Sequence, residues 1–186
     1  MSIEKTETRL MNKAVHYLGR YSASEHRLRE VLSRFAARKL ADTEPVEVFS
    51  AMTRVVEKCR RLGYVDDVAF AASQARSQRR QGKSTMAIRR RLRQHAFNEA
   101  ATATALRTVD ADHQDAELAA AIHFARRRRL GPFFWGVFDD RTRYRHMGSF
   151  ARAGFSLAIC RTILDTDCID DLEKLEHKAI QTSQSE

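Results

Sequence analysis

The scarcity of turn-forming residues restricts this chain more than any motif does. Seven glycines and two prolines are spread over 186 residues, too few to supply the tight turns of a multi-stranded sheet. No stretch sustains an alternation of polar and apolar residues, whereas apolar residues return every three to four positions along almost the whole length. Both observations predict an all-α fold. With 43% hydrophobic residues, the chain carries enough apolar surface for a packed core.

Local punctuation then divides the helices. The spacing predicts a first helix over about 7–20, with Leu10, Ala14 and Leu18 on one side and Gly19 at its end. "SASE", Ser22 to Glu25, reads as a capping box in which hydroxyl and carboxylate each take an orphan backbone donor, ahead of Leu28, Val31, Leu32 and Phe35. Pro45 suits the first position of a third helix, whose stripe is Val48, Met52, Val55, Cys59 and Leu62. Asp66 is a candidate cap for a fourth helix running through Val68, Ala71, Ala72 and Ala75 to about Arg80. Gly82 and Ser84 separate it from a fifth helix with Ile88 and Leu92 inward, and Asn98 opens a sixth that buries Ala101, Ala105 and Leu106. Leu118, Ala121, Ile122 and Ala125 mark a seventh. The connector "LGPFFWGVFDD" leads to an eighth with Met147, Phe150 and Ala151, and after Gly154, Ser156 opens the ninth.

Part of this pattern recurs. "LRQHAFNEAATATAL" (92–106) lies on "FARAGFSLAICRTIL" (150–164) without a gap, and "SEHRLREVL" (24–32) lies on "STMAIRRRL" (84–92). The expectation is tandem three-helix repeats over 7–65, 66–110 and 111–165, stacked into an elongated, curved body, because one such unit buries too little surface alone. An acid-rich tail over 166–186 follows, of a composition that frays or competes for the basic surface of the body.

A net charge of +9 and a pI near 9.9 favour polyanions or acidic protein surfaces as partners. "RSQRRQGKSTMAIRRRLR", Arg76 to Arg93, holds eight cations and no carboxylate. In it Arg76, Arg79, Arg80 and Lys83 recur at helical spacing, and Arg89, Arg90 and Arg93 follow on the next helix. The bland reading is a solvated face whose arginine stems cover the core edge. A solvated face mixes both signs, however, since like charges a turn apart repel, and acids are absent from Val68 to Asn98. A binding role is therefore favoured. Arg126, Arg127, Arg128 and Arg129, with Arg141, Arg143, Arg145 and Arg152, form a second basic region near Trp135 and Tyr144. Cations among aromatics can hold phosphates and stack single-stranded bases, although the same rings equally suit a core.

Signatures of catalysis are missing: the sequence has no phosphate-binding glycine loop, nucleophile elbow or paired zinc histidines. Asp66 and Asp67 are backbone neighbours that a helix start explains. The histidines show no ligand spacing with one another or with Cys59, Cys160 and Cys168. No catalytic residue, metal or cofactor is expected. An odd cysteine count without CxxC, no secretory apolar segment and no membrane-length run point to a cytoplasmic chain, with a monomer as the expectation.

The order of these segments resembles the RecX family of bacterial recombination regulators over about 11–165. The most specific stretch is "LGYVDDVAFAASQARSQRRQGKSTMAIRRRLRQHAFNEAATATAL" (62–106), flanked by "YLGRYSASEHRLREVL" (17–32) and "ARAGFSLAICRTIL" (151–164). Two segments depart from the family pattern: 34–45 is longer than its usual turn, and 130–140 is rich in aromatics. The resemblance implies a regulator, not an enzyme, that binds the RecA filament on single-stranded DNA and restrains its growth, ATP hydrolysis, strand exchange and the coprotease activity behind the SOS response. It also implies a filament-facing or DNA-facing role for Arg76, Arg79, Arg80, Lys83, Arg89, Arg90 and Arg93. Two rivals remain open: a nonspecific DNA-binding helical protein acting without RecA, and a helical adaptor for an unrelated acidic protein.

Overall fold

The computed structural model describes residues 3–181, and every regular element among them is helical. In chain order these are α1 (Ile3–Leu18), α2 (Glu25–Lys39), α3 (Pro45–Arg61), α4 (Asp67–Arg80), α5 (Thr85–Gln94), α6 (Glu99–Asp110), α7 (Ala116–Arg128), a 3-10 turn (Gly131–Phe133), α8 (Asp140–Ala153), α9 (Leu157–Leu164) and α10 (Ile169–Ile180). The chain divides into two compact units between Phe70 and Ala71, within α4.

In the first unit α1, α2 and α3 pack on one another around Leu10, Leu28, Leu32, Val55 and Val56, none more than 1% exposed. Thr6 joins this interior because its hydroxyl donates to the Glu47 carboxylate at 3.0 Å. The stripe of α3 ends at Cys59, one turn earlier than the spacing predicts. Leu62 lies past the last helical residue as the C-cap, its N–H returned to the Lys58 carbonyl and its side chain exposed.

The start of α2 differs from the expected capping box. Ser24, not Ser22, is the N-cap, and its Oγ accepts from the Arg27 N–H at 3.2 Å. The carboxylate comes from far along the chain: Asp67 Oδ1 accepts the Glu25 N–H at 2.8 Å, while Asp66 accepts from Ala69 at the start of α4. The same joint recurs in the second unit. There Ser84 caps α5 through the Ala87 N–H, and Glu117, in the first turn of α7, accepts the Thr85 N–H at 2.9 Å. In both places an acid from the helix two elements later satisfies the first amide of a serine-capped helix.

The second unit is built around α7, which packs on α9, α10 and the 3-10 turn. Ala121, Ile122, Ala125, Phe150, Ile163 and Leu172 are its innermost side chains. Two glycines permit the close approaches that fix it. Gly82, at φ +67°, brings the α4–α5 turn so near α7 that a Cβ would stand 2.8 Å from His123 and 3.0 Å from the Ala120 carbonyl. Gly154, at φ +91°, brings the α8–α9 turn onto α5, where a Cβ would meet Ser84 Oγ at 2.7 Å. Ser84 is completely buried; its Oγ also donates to the Ala153 carbonyl at 2.6 Å.

Beyond the nine helices that the apolar spacing predicts, the acid-rich tail contains a tenth, α10. Leu172, Leu175 and Ala179 form one side of α10. Leu172 and Leu175 join the core around α7, and the Ala179 carbonyl accepts the Asp115 N–H at 2.9 Å. Residues 182–186 of the tail lie outside the described range.

Candidate polyanion interface

Helical spacing places Arg76, Arg79 and Arg80 on one edge of α4, but the structure separates them. Arg79 turns inward, its side chain only 10% exposed. Its guanidinium grips both oxygens of Asp110 at 2.9 and 2.7 Å, Glu117 at 2.6 Å, the Lys83 carbonyl at 3.1 Å and the Thr85 hydroxyl at 2.7 Å. One side chain thereby ties α4 to α5, α6 and α7. Burial alone would lower the pKa of this guanidinium, but the hydrogen bonds and charges of Asp110 and Glu117 outweigh it and hold the pKa above its ordinary value. Arg79 is therefore a fastener with its donors engaged, not part of an outward basic edge. The acids missing around it in sequence arrive from 31 and 38 residues away.

Arg76 and Arg80 stay exposed and border a cleft of about 310 Å³ of mixed sign, shared with Asp110, Asp112, His113, His123 and Glu176. A second cleft, of about 450 Å³, is different. Lys83 from the α4–α5 turn, Arg90 from α5, Arg128 from α7 and Arg152 from α8 line it together with Ser84 and Ser149, and no carboxylate does. None of the four cations forms an ion pair among the described residues. Their meeting follows from the joints above: Gly82 seats the turn bearing Lys83 on α7, and the Ser84–Ala153 bond with Gly154 draws the end of α8, and so Arg152, onto α5. Four like charges from four segments focus a positive potential at a concave surface.

The other candidates are dispersed. Arg89 pairs with Glu99 at 3.3 Å, and Arg93 is exposed. Arg126 pairs with Glu176 at 2.7 Å and Glu173 at 3.6 Å on α10, so the acid-rich helix engages the first arginine of the RRRR run. Arg127 donates to the Gln81 carbonyl at 3.0 Å. Arg128 lies over Phe124, and Arg129 over Trp135. Arg143 pairs with Asp165 and donates to the Leu164 carbonyl, while Arg145 is exposed. Sequence spacing gives no reason to set Arg152 beside Arg90, since only the folded joint between α8 and α5 does so. Among the described residues no group of histidines, cysteines and acids is arranged to hold a metal ion, and no helix is long and apolar enough to cross a membrane.

No family model matches the chain. A curated relative from Myxococcus xanthus named regulatory protein RecX is 37% identical over 164 residues, covering 86% of this chain and 86% of its own. The chain belongs to the RecX family. A second RecX, from Agrobacterium fabrum, is 32% identical over 149 residues, covering 80% of this chain and 77% of its own length. A crystal structure of a regulatory protein RecX superposes with a TM-score of 0.68 over 87% of this chain and 74% of the other, at 21% identity. That last likeness speaks to the fold, and it agrees with the all-helical RecX architecture found here.

Proposed function

We propose that this RecX-family chain is a regulator, not an enzyme, that binds the RecA filament on single-stranded DNA and restrains its ATPase, recombinase and coprotease activities. The cleft of Lys83, Arg90, Arg128 and Arg152 serves as its principal anionic contact. The observation that carries this reading is the gathering of four unpaired cations from four separate segments with no carboxylate among them, an arrangement whose mutual repulsion an anionic partner would relieve. Arg76, Arg80, Arg93 and Arg145, all exposed, would add weaker contacts, each raising the effective concentration of the next along an extended partner. The protein acts in the cytoplasm as a monomer, with its predicted repeats over 7–65, 66–110 and 111–165 presenting successive contact surfaces.

The test is the single-stranded-DNA-dependent ATPase of RecA with increasing amounts of the protein. Inhibition is expected, and Arg90→Glu with Arg128→Glu should relieve it. Full ATPase activity at protein concentrations that saturate the filament overturns the reading. The same unpaired cations also suit a nonspecific DNA binder acting without RecA. Salt titrations separate the two, since a purely phosphate-driven binder loses affinity steeply with salt and holds bare DNA as firmly as the filament.

A further inference from the structure

The connector between α7 and α8 holds four aromatic side chains and Val137 beyond the buried Leu130, and the fold sorts them. Phe133 is buried, with the Arg126 guanidinium 5.2 Å from its ring centroid. Phe134 meets the His146 ring edge-on at 5.1 Å, and Phe138 approaches the same ring at 5.5 Å. The Gly131 N–H donates to His146 Nδ1 at 3.1 Å. Gly136 lies so close over Phe134 that a Cβ there would be 2.6 Å from the ring. The segment is thus pinned from within on both sides of Trp135, and Trp135 is turned out, 83% exposed, with Val137 equally exposed beside it.

The Arg129 guanidinium lies 4.8 Å from the Trp135 ring centroid, held at the left-handed C-cap of α7, whose N–H returns to Ala125 and Arg126. Arg141 and Arg145 stand exposed on the first turns of α8. Of the two connector acids, Asp139 is engaged as the α8 cap through the Thr142 N–H, and Asp140 begins that helix. A large exposed ring with a cation on one face and further cations nearby offers what an unpaired nucleotide requires: a surface for its base and charge for its phosphates.

We propose that Trp135, backed by Arg129, is a stacking platform for an unpaired base of single-stranded DNA, giving the chain a hold on the strand that needs no RecA. The inference takes the polyanion of the proposed function to be single-stranded DNA and rests on that reading to this extent. Stacking selects the single strand because the faces of bases in a duplex are already covered by their neighbours, while every base has a face to offer.

Trp135 is the only tryptophan in the chain, so its fluorescence reports on this place alone. Oligo(dT) added to the full-length protein at low salt, without RecA, should quench the emission, and a duplex of equal length should quench it far less. By anisotropy of a labelled oligonucleotide, Trp135→Ala should weaken binding by roughly tenfold and Trp135→Phe by much less, with unchanged helical circular dichroism in both. Unchanged emission while anisotropy shows the strand bound overturns the platform. So does equal quenching by duplex, or an alanine variant that binds like the parent. Inhibition of the RecA ATPase by the parent protein, without quenching by oligo(dT), leaves the filament reading standing and removes the platform. Quenching without ATPase inhibition does the reverse.

Discussion

Arg79 and Arg90 come from the same basic run and lie on successive helices, yet one is enclosed by carboxylates and the other stands at an open cleft with none. Around Arg79 the fold brings Asp110 and Glu117 to within hydrogen-bond distance; around Arg90 it brings Lys83, Arg128 and Arg152. Residue type and local charge are the same in both places, so neither decides the role. What decides it is which distant segment arrives: the first turn of α7 and the end of α6 close one arginine in, while the ends of α7 and α8 add like charge to the other.

The largest effect tests the enclosed side of this contrast. Arg79→Met leaves Asp110 and Glu117 facing each other without a cation, and should cost about 3 kcal/mol of stability, near the lower end for a broken buried pair because both acids keep some solvent. Urea denaturation measures it, and an unchanged midpoint would erase the distinction between the two arginines. Gly154→Ala should cost about 2 kcal/mol, since the new methyl group enters at positive φ against Ser84 and Met86. The same variant should weaken polyanion binding if the cleft depends on α8 meeting α5. Arg90→Ala with Arg128→Ala should move stability by no more than about 0.5 kcal/mol, while the slope of log affinity against log salt falls by about 2. A large loss of stability in this double variant would mean that the open cleft, too, is structural.

The smallest effect is a control outside both regions. Burial, aided by the nearby Arg145 charge, holds the His146 pKa below its ordinary value of 6.5, and its Nδ1 accepts the Gly131 N–H. The unfolded chain therefore takes up a proton at a higher pH than the folded one. Stability is complete above the ordinary histidine range and falls as the pH drops below about 6.5 toward the depressed folded pKa. Thermal melts from pH 7.5 to 5.5 should show a modest decline that His146→Gln reduces, with the Arg79 effect unchanged.

Much of the fold could be read in advance because its signals are local. Ser84, Asn98 and Ser156 cap the helices they precede, and Ile88 and Leu92 fall inward as their spacing requires. Ser22 misled because Ser24 stands two residues on with the same hydroxyl, and the carboxylate that favours Ser24 lies on α4. α10 was hidden by its acids, although Leu172, Leu175 and Ala179 carry helical spacing. The site was less legible than the fold. Exposed Arg76 and Arg80 follow the helical pattern, but nothing within seven residues of Arg79 announces Asp110 or Glu117. Arg90 and Arg152 meet only because a buried serine hydroxyl bridges two helix ends.

The joint seen twice, at Glu25 with Asp67 and at Thr85 with Glu117, bears on how a chain of this kind can change length. In each case the fastening acid rides in the first turn of a later helix, and the site that receives it is an ordinary backbone amide beside a serine. A segment duplicated together with its leading acid would arrive carrying its own clasp and find a receiving amide already in place. Growth or loss of such segments would then keep this polar joint by the copying of one carboxylate and one serine in register.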